Sequence, residues 1–185
     1  ETIAGDAAGN YTVVRTFTAT DDAGNSTSAQ QTITVQDTTA PEFTSVPADY
    51  TSECSDDLIL DDASASDNCG AVTIELSEEI LDGSCVNGYV MLRTFTATDD
   101  AGNSTSATQT ITVVDTSGPD LFIPPSYEAD CGDDLLLLDA LANDACGVHI
   151  LTVEESYDNT CDNSYVLTRT FTAVDACFNE TVGVQ

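Results

Sequence analysis

The chain has 185 residues, of which 33 are acidic and three are basic, all of them arginine, for a formal net charge of -30. That field repels phosphate, which excludes nucleic acid as a partner and argues against insertion among anionic lipids. It draws divalent cations, which clustered carboxylates ligate through hard oxygens.

Tyr11 to Thr20 alternates with period two, placing Tyr11, Val13, Arg15, Phe17 and Ala19 on one face and a threonine-rich set on the other. Asp21-Asp22-Ala23-Gly24-Asn25 supplies turn chemistry, and Ser26 to Val35 alternates again, so the spacing predicts a β-hairpin. Its segment RTFTATDDAGNSTSA, Arg15 to Ala29, recurs letter for letter at Arg93 to Ala107, and as RTFTAVDACFNETVG at Arg169 to Gly183. The arginines are 78 and 76 residues apart, the mark of tandem copies of one small domain.

This period divides the chain into the C-terminal part of one repeat (1–36), a complete repeat (37–114), and a repeat lacking the end of its last strand (115–185). Glu1 aligns with Glu79 and Gln185 with Gln109, so the expectation is a window on a longer chain. Asp37-Thr38-Thr39-Ala40-Pro41 and Asp115-Thr116-Ser117-Gly118-Pro119 read as short, stiff linkers, because proline cannot continue the previous ladder.

In the complete repeat, strands are expected near Glu42–Val46, Asp49–Cys54, Leu58–Ala65, Val72–Leu76, Tyr89–Thr98 and Ser104–Val114; Leu135–Leu138 is read as a strand by analogy with its counterpart. Short strands, frequent turns and no helical period predict an all-β fold of immunoglobulin-like β-sandwiches stacked end to end.

The string SDNCG (Ser66 to Gly70), the element TRTFTAVDAC (Thr168 to Cys177) and the DTTAP linker resemble hyalin-type and related immunoglobulin-like repeats of long secreted and surface proteins of bacteria. The resemblance covers essentially the whole chain and implies a stalk, adhesin or fibre. The family often carries a fourth cysteine in a DACGN turn. Here only Cys177 stands in that turn, with Phe178 in place of the glycine, while Ala7, Ala23 and Ala101 occupy the earlier places.

In a sandwich, the turn after the penultimate strand and the loop holding Ser66-Asp67-Asn68 share the pole at which the linker arrives. Asp67, Asn68, Asp99, Asp100 and Asn103 are therefore expected to converge on Asp37 as a calcium site, with Asp115, Asn143, Asp144, Asp175 and Asn179 at the corresponding places in the next copy. The plainer reading is that Asp and Asn merely form turns.

Seven cysteines without CxxC spacing point to disulfides and an oxidising, extracellular or cell-surface setting. A strand of ten residues spans about 30 Å, so cysteines at opposite poles cannot pair. Pole geometry then favours Cys146–Cys177, Cys131–Cys161 and Cys54–Cys85, leaving Cys69 opposite Ala101. The alternative, Cys54–Cys69 with Cys131–Cys146, strands Cys85 instead. The odd thiol is read as an inert buried cysteine, with a cross-link to a neighbouring domain or chain as the sharper possibility.

Each arginine is expected to stack on the phenylalanine two residues on and to pair with a carboxylate on the adjacent strand. His149 falls in a strand position without a counterpart, and no catalytic motif appears, so the chain is read as no enzyme. Its expected partners are copies of itself or neighbouring repeats. The alternative is an adhesive module that grips surface glycans or another protein.

Overall fold

A computed structural model of the chain describes residues 2–4, 9–83, 85–130, 132–147, 150–161 and 164–185, with 2–4 and 159–161 as backbone only. Cys131 and His149, and the side chain of Cys161, lie outside the described residues. Threonine, valine and isoleucine are stiff at χ1 and favour pleated backbone. Accordingly the described residues contain strands and no helix, and so no helix long and apolar enough to cross a membrane.

The strands are β1 (Thr2–Ala4), β2 (Tyr11–Thr20), β3 (Ser26–Val35), β4 (Glu42–Ser45), β5 (Tyr50–Glu53), β6 (Ser64–Ser66), β7 (Val72–Asp82), β8 (Tyr89–Asp99), β9 (Ser104–Val114), β10 (Asp120–Phe122), β11 (Leu141–Asn143), β12 (Ile150–Cys161), β13 (Ser164–Val174) and β14 (Glu180–Val184). They form sheets ordered β1-β2-β3, β4-β6, β5-β9-β8-β7, β10-β11 and β12-β13-β14. β5 joins β9 in parallel, pairing Tyr50 with Ile111 and Glu53 with Val114. The predicted hairpin is β2–β3, with Phe17 opposite Ala29.

By compactness the chain divides into two units. The first comprises Glu1–Asp49, Leu60–Glu79 and Leu92–Gln109; the second comprises Tyr50–Ile59, Ile80–Met91 and Thr110–Gln185.

In the first unit the core is built on β8, where Arg93, Phe95, Ala97 and Asp99 are buried and the intervening threonines are half-exposed. Arg93 carries its charge inside, where three acceptors meet its Nε and Nη1. Nε donates to Glu78 Oε1 on β7 at 3.0 Å, and Nη1 donates to the Asp61 carbonyl at 2.8 Å and to Gln109 Oε1 at 3.0 Å. Gln109 is held in turn by its own donation to the Ala48 carbonyl at 2.8 Å.

The second unit repeats the arrangement around β13. Arg169 Nε donates to Glu155 Oε1 on β12 at 3.0 Å, Nη1 donates to the Leu138 carbonyl at 2.6 Å, and Gln185 spans Arg169 and the Pro125 carbonyl. The expected carboxylate partners are thus Glu78 and Glu155, and the planar fork of arginine suits a site with several acceptors in fixed directions.

The arginine–phenylalanine stack has the same geometry in all three copies, at 5.1, 5.2 and 4.9 Å from guanidinium carbon to ring centre. Yet Phe17 is 52% exposed whereas Phe95 and Phe171 are 1% exposed. The stack is therefore a local property of residues two apart on a strand, and burial is added by what packs over it.

Two strand expectations fail. Between Leu58 and Ala65 only the end is strand, because the Tyr50 hydroxyl takes both the N–H and the carbonyl of Ile59 at 2.9 and 3.1 Å, removing them from any ladder. Leu135–Leu138 is irregular and exposed: Leu138 N–H bonds the Leu136 carbonyl, and its own carbonyl is taken by Arg169.

Candidate functional site

The repeated turn is one device built three times. Asp99 N–H donates to the Asn103 carbonyl and Gly102 N–H to the Asp99 carbonyl; Asp21–Asn25 and Asp175–Asn179 make the same pair of bonds. The residue before the asparagine has positive φ: 87° at Gly24, 90° at Gly102 and 70° at Phe178. Glycine enters that region freely, and a bulky side chain does not.

In the first unit, Asp99 Oδ1 accepts from Asn103 N–H at 2.8 Å and Oδ2 from Asn103 Nδ2 at 2.9 Å. Burial pushes the Asp99 carboxyl up, but these bonds, with those from Ala101 and Gly102, outweigh it and hold the group below its ordinary value. Asn103 Nδ2 also donates to the Asp37 carbonyl at 3.3 Å, which ties the turn to the linker. Asp37 N–H donates to Asn10 Oδ1 at 2.6 Å, and Asp37 Oδ1 caps Thr39 N–H.

Asp67 arrives from the loop after β6. Its Oδ1 accepts from Cys69 N–H at 2.7 Å, while its Oδ2 is buried without a hydrogen-bond partner. Carboxylate oxygens of Asp37, Asp67 and Asp99 lie within 4.8 Å of one another. Three acidic groups from three separate segments thus converge, and none of them is in an ion pair among the described residues, a donor set of the hard-oxygen kind that calcium takes. Of the other expected ligands, Asn103 is used in bracing the turn, Asn68 is exposed, and Asp100 is exposed and outside the carboxylate cluster.

In the second unit, Asp175 Oδ1 accepts from Cys177 N–H and Asn179 N–H, Oδ2 accepts from Asn179 Nδ2 at 2.7 Å, and Asn179 Nδ2 donates to the Asp115 carbonyl at 3.1 Å. The second linker is thus tied to its turn as the first is. It is also held from β5, where Glu53 accepts from Thr116 N–H at 3.0 Å and from the Thr116 hydroxyl.

Asp115 and Asp175 converge, but the third atom of that group is Cys177 Sγ, and Asp115 also lies beside the sulfurs of Cys54 and Cys146. Asp144 caps Cys146 N–H at 2.7 Å, and Asn143 is exposed on β11. Burial first, then the charges of Asp175, Asp144 and Glu53, push the Asp115 carboxyl above its usual range, against one bond from Ser117 N–H.

The cystines correct the expected pairing. Cys54 bonds Cys146 with Cα atoms 5.6 Å apart, and Cys85 bonds Cys177 at 5.1 Å, so Cys54–Cys85, Cys146–Cys177 and Cys54–Cys69 do not form. The expected partners lie within one copy of the repeat, whereas the observed bonds run between copies. Cys54 and Cys85 fall in the second copy of the repeat and Cys146 and Cys177 in the third, and each bond runs from one to the other. The Cys131–Cys161 pair lies outside the described side chains.

Cys69 is a free thiol and is exposed, not buried as expected. Desolvation, then the charges of Asp37, Asp67 and Asp99, raise its pKa above the ordinary thiol value. Sequence reasoning also missed Gln109 and Gln185, whose signal was present: a glutamine stands sixteen residues after each arginine, at Gln31, Gln109 and Gln185.

No family model and no curated protein matches the chain. Among solved structures, the crystal structure of Drosophila N-cadherin EC1-4 aligns at 16% identity and a TM-score of 0.39, over 97% of this chain and 56% of that one. The chain therefore spans little more than half the length of that protein's structure.

Proposed function

We propose that the chain is a structural segment of an extracellular filament, stalk or surface adhesin, non-catalytic, made of hyalin-type immunoglobulin-like sandwiches at 1–36, 37–114 and 115–185 set end to end. The observation that supports this most is the duplicated anchoring of the linkers. Asn103 holds the Asp37 carbonyl and Asn179 holds the Asp115 carbonyl, each from the same position of the same turn. Two cystines then join the second copy to the third. Polar and covalent bonds concentrated where copies meet suit a chain whose work is to keep its length under load.

Calcium is the cation this reading assigns to the linker sites, foremost to Asp37, Asp67 and Asp99. Its support is the convergence of three carboxylates and the buried, unpartnered Oδ2 of Asp67. Extracellular calcium modules bind with Kd near ~10⁻⁴ to 10⁻³ M, so about 10 mM calcium at the tighter end adds roughly 2.7 kcal/mol per site. Thermal melts in calcium and then in EDTA check this. The expected result is a melting temperature several degrees higher in calcium, and an unchanged one removes the cation from the account.

A second reading, an adhesive module for surface glycans or a partner protein, draws on Phe178, a large apolar side chain 86% exposed at a strained turn position. Retention on a glycan array that is lost in Phe178→Gly would favour it.

A further inference from the structure

We infer that Cys69 is one half of a disulfide to the preceding copy of the repeat, its partner being the cysteine equivalent to Cys54, at about 25 residues ahead of Glu1 by the 78-residue offset between Arg15 and Arg93.

Cys146 is the counterpart of Cys69 in the third copy. Both sit in the same loop, and both donate their N–H to the aspartate two residues earlier, Asp67 or Asp144, at 2.7 Å. Cys146 is bonded to Cys54 of the copy before it. Cys69 is the same half-joint, presented free and exposed.

The surroundings of the two cysteines match as well. Asn87, just ahead of β8, donates its side-chain amide to the Cys146 carbonyl. Gly9, which stands 78 residues earlier just ahead of β2, lies against Cys69 so closely that a Cβ there would be 3.1 Å from Cys69 Cβ and 3.6 Å from its carbonyl oxygen. The loop of the second copy thus meets the end of the first copy as the loop of the third meets the end of the second.

The other cystine supplies a control within the sequence. Cys85–Cys177 has as its counterparts Ala7 and Ala101, so where that bond is absent both halves are absent together. Cysteine is retained at position 69, which by the same rule implies that its partner is retained.

Forming the bond removes two protons and two electrons from two thiols. The chemistry is thiol–disulfide exchange: the partner's thiolate first attacks the disulfide of a secretory dithiol oxidase. Cys69, as thiolate, then attacks the partner's sulfur in that mixed disulfide, and the oxidase leaves as its reduced dithiol.

The test is non-reducing digestion of the native, full-length protein in iodoacetamide, followed by mass spectrometry. The peptide containing Cys69 is expected joined to a peptide from the copy ahead of Tyr11. Carbamidomethylated Cys69, or Cys69 joined to Cys69 of a second chain, overturns the proposal. In Cys69→Ser full-length protein, one additional titratable thiol per chain is expected; no gain contradicts it. The inference rests on the tandem-repeat reading, and the two fail separately. A free Cys69 in material that is filamentous by electron microscopy sinks only the pairing, whereas a linked Cys69 in non-filamentous material sinks only the stalk.

Discussion

Phe178 occupies a backbone position that its counterparts Gly24 and Gly102 fill without strain. A left-handed conformation costs an L-residue roughly 1–2 kcal/mol, and glycine returns about 0.5–1 of that through its larger unfolded-state entropy. Because the ring is 86% exposed, little burial is lost on removing it. Phe178→Gly is therefore expected to stabilise the protein by about 0.5–1 kcal/mol, read as a higher denaturant midpoint at unchanged slope.

Asp115 gives the opposite kind of residue-scale prediction. Its folded pKa lies above the unfolded one, so the stability it contributes is present at low pH and is lost as pH rises from the ordinary carboxylate value through the raised one. Asp21 and Asp99, held below their ordinary value, contribute stability above that value and lose it as pH falls through their folded pKa. At neutral pH in EDTA, Asp115→Asn should melt higher than the parent. In calcium the parent should gain more than the variant, and the reverse order would remove Asp115 from the cation site.

The element that carries the fold is the arginine-bearing strand with its partner. Arg93→Ala strands a half-exposed Glu78, a buried Gln109 and the Asp61 carbonyl, a loss expected to cost about 3 kcal/mol. The same substitution at exposed Arg15 should cost at most about 0.5 kcal/mol, although the residues that follow it, through Ala29, are identical to those from Arg93 to Ala107. Chemical denaturation of the two variants side by side checks the contrast.

That pair also shows what was legible beforehand. Strand period, turn chemistry and the arginine–phenylalanine stack are set by neighbours in sequence, so they were readable. Burial of Phe95 and exposure of Phe17 depend on which strands lie over them, and no local pattern encodes that. The same holds for Ile59 and Leu135–Leu138, whose propensities favour strand but whose backbone groups are claimed by Tyr50 and Arg169 from elsewhere in the chain.

For the whole molecule, the convergence of Asp37, Asp67 and Asp99 followed from placing turns and loops at a common pole. The cystine partners did not follow, because poles were paired within a copy when the bonds join successive copies. A cystine closing 92 residues restricts the unfolded chain by roughly 4–5 kcal/mol, so reduction should lower the melting temperature by many degrees. A change of a degree or less would show that the joints carry little of the stability.

The central claim, that successive copies lie along one line to give reach, is tested most directly by electron microscopy of the native material. An eleven-residue strand such as β8 spans about 36 Å, so the account predicts slender filaments with an axial repeat near that length. Compact particles without an axial period would contradict it.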